Sequence, residues 1–312
     1  MISVRRFVQS VFVLAACAPA CPAAAAPAQP AGPPTCAELE RRLALSGPEA
    51  TAMQLSLLLF SAADSGCVPL ARRLIDAGAS LAARDRLGAM ALARAARAGH
   101  VALVELFLAR GAAIDARNLF GATALYAATE NERRATVAFL LANKADPNLP
   151  GRSGVTPLAA AAFKGNDRIV DQLIAGGAAL DEVDATGKSA MTYAAGRGFA
   201  LIARRLLEAG VDAKRAYGSG LTALMWAAGY EDGVGERSAL DVVELLLAAG
   251  APVDAVDDRG RTALMIAAEL GHAGIVERLL ARGADRAIAD KDGKRAADLA
   301  ASEAVRALLG AK

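Results

Sequence analysis

Glycine recurs along this chain on a fixed stride. Gly78, Gly111, Gly177, Gly210, Gly250 and Gly283 each close an apolar segment, with Lys144 standing in for one member of the series. The steps are 33, 33, 33, 33, 40 and 33 residues. A second series, Gly88, Gly121, Gly154, Gly187, Gly220, Gly260 and Gly293, keeps the same stride and the same single exception. Two independent series with one period restrict the chain to an array of like units, each touching only its neighbours. The 312 residues therefore need not divide into two ordinary domains.

Each period contains two short helical segments. Thr123, Thr156, Thr222 and Thr262 stand where a first helix starts, as N-caps, and Pro157 occupies the first turn, where its missing N–H costs nothing. The pairs Ala95-Ala96, Ala194-Ala195, Ala227-Ala228 and Ala267-Ala268 let neighbouring helices approach closely. Gly99, Gly165, Gly198 and Gly271 then turn the chain into a second helix, whose V-x-x-L-L spacing (Val104 to Leu108, Val243 to Leu247) lines one face. Much of the 54% hydrophobic content is alanine and aromatics reach only 4%, which suits thin, close-packed helices.

The run from Asp257 through Leu264, Ala267 to His272, Val276 to Leu280 and Gly283 to Asp285 resembles the ankyrin-repeat consensus nearly throughout. Gly154-Val155-Thr156-Pro157-Leu158 carries that family's Thr-Pro-Leu core, and Gly121 to Leu125 varies it by one residue. The resemblance covers roughly residues 52–312. It implies an all-α solenoid with short β-hairpin turns: about seven repeats, beginning near Thr51, Arg84, Arg117, Pro150, Val183, Ala216 and Val256, and a terminal cap from Ala289 to Leu309. The repeat domain is expected over 51–312. A capping helix is expected within 35–50, because Thr35-Cys36-Ala37-Glu38 reads as a capping box. In the first unit Leu55 replaces the turn glycine. The step of 40 holds seven extra residues, Glu231 to Arg237, read as a mobile acidic protrusion.

Residues 1–16 have the layout of an export signal, with Arg5 and Arg6 ahead of an apolar stretch that prolines cut too short to span a membrane. Leu14-Ala15-Ala16-Cys17 resembles the bacterial lipobox, which implies lipidation at Cys17 and an outer-membrane lipoprotein facing the periplasm. The alternative is ordinary cleavage and a soluble periplasmic or secreted protein. Residues 17–34 read as an Ala/Pro-rich tether. Cys36 and Cys67 remain in the folded part, either bridged in an oxidising compartment or buried as free thiols. In the repeat layout Cys36 falls near Cys67, and a bridge would staple the cap to the array.

No catalytic constellation emerges. His100 and His272 each follow a glycine at the same repeat position, the family's structural Gly-His, which leaves no general base. No cysteine has a metal-ligand partner at short spacing, and no phosphate-binding loop is present, so no cofactor, no metal and no enzymatic activity are expected. Without Arg5 and Arg6 the chain balances 35 − 2 = 33 basic against 33 acidic residues, which argues against nucleic acid. The resemblance implies protein binding through hairpin tips and exposed first-helix positions. Those positions include Leu119, Phe120, Arg152, Phe163, Lys164, Arg197 and Tyr230, where exposed aromatics beside cations make interface anchors. Trp226 is assigned to packing between repeats. The expected function is that of a monomeric, non-enzymatic scaffold or adaptor for a cell-envelope protein, touching a membrane only through the lipid anchor. The alternative is a dedicated inhibitor or immunity-type protein blocking a toxin or enzyme in the periplasm.

Overall fold

The computed structural model describes residues 33–47, 50–230 and 233–310. The expected export signal, Cys17, most of the tether, and Glu231 and Asp232 of the insertion lie outside the described residues.

Local chemistry starts most of the first helices. Thr123, Thr156, Ser189, Thr222 and Thr262 all have extended backbone, and each side-chain oxygen accepts the amide three residues on. The helices that follow are short, so they persist only by packing. They form pairs: α2 (Ala52–Ser65) with α3 (Val68–Asp76), α4 (Ala91–Ala98) with α5 (Val101–Ala109), α6 (Ala124–Glu130) with α7 (Arg134–Ala142), α8 (Pro157–Lys164) with α9 (Asp167–Ala175). The series continues with α10 (Ala190–Gly196) and α11 (Ala200–Glu208), α12 (Ala223–Ala228) and α13 (Glu236–Ala248), α14 (Ala263–Leu270) and α15 (Ala273–Ala281), α16 (Ala296–Leu299) and α17 (Glu303–Leu308). Helix α1 (Cys36–Ser46) precedes them. First helices pack on first helices and second on second, with the alanine pairs fully buried at each joint. Leu103, Val104, Val137, Leu140, Ile169, Val170, Ile202, Val242 and Ile275 continue one core beneath them. The described residues hold no extended strand; only isolated bridges, Ala216 with Thr222 and Ala289 with Arg295, mark the hairpins.

The first unit differs from the rest for a physical reason. Thr51 and Gln54 form a capping box, and α2 then runs for 14 residues through the place where later units build a hairpin. With no earlier tip to pair against, helix satisfies the backbone instead. The N-terminal face is closed by α1, which buries only Leu39. A disulfide joins Cys36 to Cys67, with Cα atoms 5.5 Å apart. Ser65 Oγ also donates to the Pro34 carbonyl at 2.7 Å. A covalent closure 31 residues apart removes about 3–4 kcal/mol of unfolded-chain entropy, more than one buried leucine supplies.

At two turn positions where the other units carry glycine, a side chain takes the left-handed conformation. Lys144 has φ 69° where the other units place the closing glycine, and Glu132 has φ 57° where Gly99, Gly165, Gly198 and Gly271 stand. An L side chain pays about 1 kcal/mol for this region. Lys144 is exposed, so Lys144→Gly should raise stability by about 1 kcal/mol, read as an increased urea midpoint at unchanged slope.

Candidate functional site

The hairpin tips are held by a repeated carboxylate or amide. Asp85 accepts the amides of Leu87 and Ala89, Asn118 those of Phe120 and Ala122, and Asp184 those of Thr186 and Lys188. Asp257 and Asp290 repeat the arrangement. This is the turn-forming use of Asx side chains. In the fourth and sixth units Gly151 and Tyr217 take the position, and Ser153 and Ser219 turn left-handed at φ 58° and 60°. Gly151 is required because a Cβ there would meet the buried Tyr126 ring at 2.5 Å. Burial, then Glu130, pushes the Tyr126 phenol up to about 12.

Neighbouring tips are joined backbone to backbone. Leu119 N–H donates to Leu87, Ala185 to Ser153, Gly218 to Gly187, Asp258 to Ser219 and Lys291 to Arg259, at 2.8 to 3.1 Å. Among the described residues, the rung between Phe120 and Arg152 is missing. That joint is spanned by the Arg117 guanidinium, which donates to Gly121 and Pro150 carbonyls, as Arg84 does to Gly88 and Arg117 one unit earlier.

The candidate interface residues fall into two groups. Leu119 and Phe120 project from the third tip, 74% and 46% exposed, and Arg152 from the fourth lies over the Phe120 ring at 5.7 Å. Phe163 and Lys164 sit exposed at the end of α8. Phe163 meets Tyr193 edge-on at 5.5 Å, with the Arg197 guanidinium 4.6 Å above it. Lys188 lies over both Tyr193 and Trp226, at 5.5 and 4.9 Å. Only folding places this tip cation above two rings from different helices, which spacing along the chain does not show. Trp226 is half-buried against the core, its indole N–H without a partner. Tyr230, read from sequence as an exposed anchor, is half-buried instead and stacks on His272 at 3.8 Å. Periodicity alone could not reveal this contact between units.

The insertion is less of a protrusion than its composition suggests. Glu236 and Arg237 belong to α13, Glu236 accepts the Gly274 amide at 3.0 Å, and Val234 packs against Gly198. A shallow cleft of about 350 Å³ lies there, lined by Arg197, Phe199, Val234 and Ser238. Both histidines are structural: His100 donates to the Asp64 carbonyl at 3.0 Å and His272 to that of Ala228 at 2.9 Å, each in the preceding unit. Two ionic clusters escaped the sequence reading. Arg94 links Asp64 and Asp85 beneath the second tip, and buried Arg261 links Asp257 and Glu269. Both are tip-to-helix ties. Among the described residues no group of acids, histidines and cysteines could hold a metal.

Asp184 and Tyr193 form the corresponding tie in the fifth unit, with the phenol donating at 2.5 Å. Burial acts to raise the Asp184 carboxyl. Hydrogen bonds from the Thr186 and Tyr193 hydroxyls and the Lys188 and Thr186 amides outweigh it, holding the group below its ordinary value. Tyr193 is pushed well above the usual phenol range by burial and then by Asp184. A depressed carboxyl contributes stability above its unfolded value, about 4, which is lost as pH falls through the folded value. Asp184→Asn should therefore be less stable than the parent at pH 7 and lose less on acidification. Urea midpoints at pH 7 and near pH 3 check this, and equal acid losses in the two proteins would refute it.

Comparison with known proteins agrees with this architecture. The family model described as ankyrin repeats matches in three copies, over residues 59–151, 158–236 and 234–312. Among solved structures, the crystal structure of the human ASB11 ankyrin repeat domain is 27% identical, with a TM-score of 0.62, covering 70% of this chain and 95% of that one. No curated protein matches the chain in sequence. Ankyrin-repeat domains are in general non-catalytic protein-binding modules. Three family matches spanning most of the chain, on a stack of paired helices with zipped tips, establish that this chain belongs to the ankyrin-repeat family.

Proposed function

We propose that this array is an exported scaffold or adaptor that holds a cell-envelope protein against its hairpin tips and first-helix face, between the third and sixth units. The observation that carries the reading is the coincidence of exposed rings with cations on that side: Phe120 under Arg152, and Phe163 under Arg197. Rigid aromatics beside arginine are the usual energetic centres of protein interfaces. Export is supported by the signal-like first 16 residues and by the Cys36–Cys67 disulfide, which belongs to an oxidising compartment. No described helix is long and apolar enough to cross a membrane. Attachment is assigned to a lipid on Cys17 because Leu14-Ala15-Ala16-Cys17 resembles the lipobox. A dedicated inhibitor would lean on the acidic insertion, but its Glu236 is already engaged by Gly274.

With a partner isolated from envelope extract, Phe120→Ala or Phe163→Ala should weaken the complex by about 2 kcal/mol while leaving folding nearly unchanged. Arg205→Ala, on a second helix, should have little effect. Titration calorimetry decides, and equal losses for Arg205→Ala would sink the assignment. Trp226 is the single tryptophan, so its emission reports contact near Lys188 directly.

Labelled palmitate should enter the wild-type chain and not Cys17→Ser. An unlabelled wild-type chain would rule out the lipid anchor.

A further inference from the structure

Three independent observations meet at the edge formed by the second, third and fourth tips. First, it is apolar and exposed: Leu87 is 52%, Leu119 74% and Phe120 46% exposed. Leu119 lies against Gly88 and donates its amide to Leu87 at 3.0 Å, so these side chains form a continuous strip. Second, it is basic. Arg86, Arg117 and Arg152 border the strip, and none has a carboxylate within ion-pair distance among the described residues. Arg117 is held by carbonyl oxygens alone, which leave its charge uncompensated. Third, the tip ladder lacks its rung here: the Phe120 carbonyl and the Arg152 amide are not paired, although five other joints make the equivalent bond.

We propose that this edge docks an extended segment of a partner protein in which apolar residues alternate with Asp or Glu. The inference rests on the protein-binding reading above and specifies the partner's chemistry. An extended chain entering the open rung can give its N–H to Phe120 and its carbonyl to Arg152, as in strand addition to an unpaired edge. Its side chains alternate between two sides with a period of two. One set covers Leu87, Leu119 and Phe120, and the other directs carboxylates to the bordering arginines, where two-point pairing with a guanidinium is available. A phospholipid surface or a nucleic acid would satisfy the cations, but neither offers backbone N–H and C=O groups at the strand spacing that the open rung presents. A polypeptide meets all three features at once.

The test is selection of a random 12-residue phage-displayed peptide library on the full chain, followed by fluorescence anisotropy with the enriched peptides. The expected result is enrichment of peptides alternating acidic and apolar residues. Their Kd should rise at least about tenfold on Phe120→Ala and on Arg152→Gln, and should weaken as salt increases. Arg152→Lys should recover only part of the loss, because lysine lacks the planar fork. All these side chains are exposed, so thermal unfolding should be unchanged and a folding defect is separable. Failure to enrich, enrichment of peptides without carboxylates, or binding indifferent to Phe120 and Arg152 overturns the proposal. So does binding of the chain to vesicles with 30% anionic phospholipid that Phe120→Ala and Arg152→Gln abolish. If the peptides fail while an isolated envelope partner still depends on Phe163 or Lys188, the docking-edge proposal falls and the scaffold reading stands.

Discussion

The contact on which the rest of this molecule depends is alanine against alanine between successive first helices. The fully buried pairs from Ala95-Ala96 to Ala267-Ala268 set how closely neighbouring helices approach. That spacing brings one tip within hydrogen-bond reach of the next. Larger side chains at these positions would overpack the joint at about 1–3 kcal/mol each and would part the tips as well. Stacking is compulsory, because helices of seven to nine residues do not survive alone and no unit can bury its apolar face by itself.

Around that spine the array uses one device repeatedly: a polar residue in the tip is tied to a side chain on the following first helix. Asp85 with Arg94, Asp184 with Tyr193 and Arg261 with Glu269 are three chemical versions of the same tie. Each fixes the tip's orientation, and each consumes a charge or ring that would otherwise be open to a partner. The third unit has Asn118 in the tip and small Ala127 where a partner for the tie would stand, which leaves Leu119 and Phe120 uncovered.

Much of the architecture was legible without coordinates. The glycine stride located every turn, and the threonines located the first helices. Lys144 was marked as a left-handed substitute from its place in the series alone, and its φ of 69° fits that place. Glu132 stands on the stride of Gly99 and Gly165, 33 residues from each, so its φ of 57° was legible in the same way, although it was not singled out. The long α2 was half legible: the missing glycine at Leu55 announced a departure, but not that helix would replace the hairpin.

For the interface residues the division is sharper. Sequence by itself determined the repeat, the paired helices, the tip positions of Leu119, Phe120 and Arg152, and the structural role of both histidines, because each depends on spacing along the chain. Tertiary structure alone decided that Tyr230 turns inward onto His272, that Lys188 covers two rings from different units, and that one rung of the tip ladder is open. These depend on distances between units, and a period states which residues are equivalent without stating how far apart the fold will hold them.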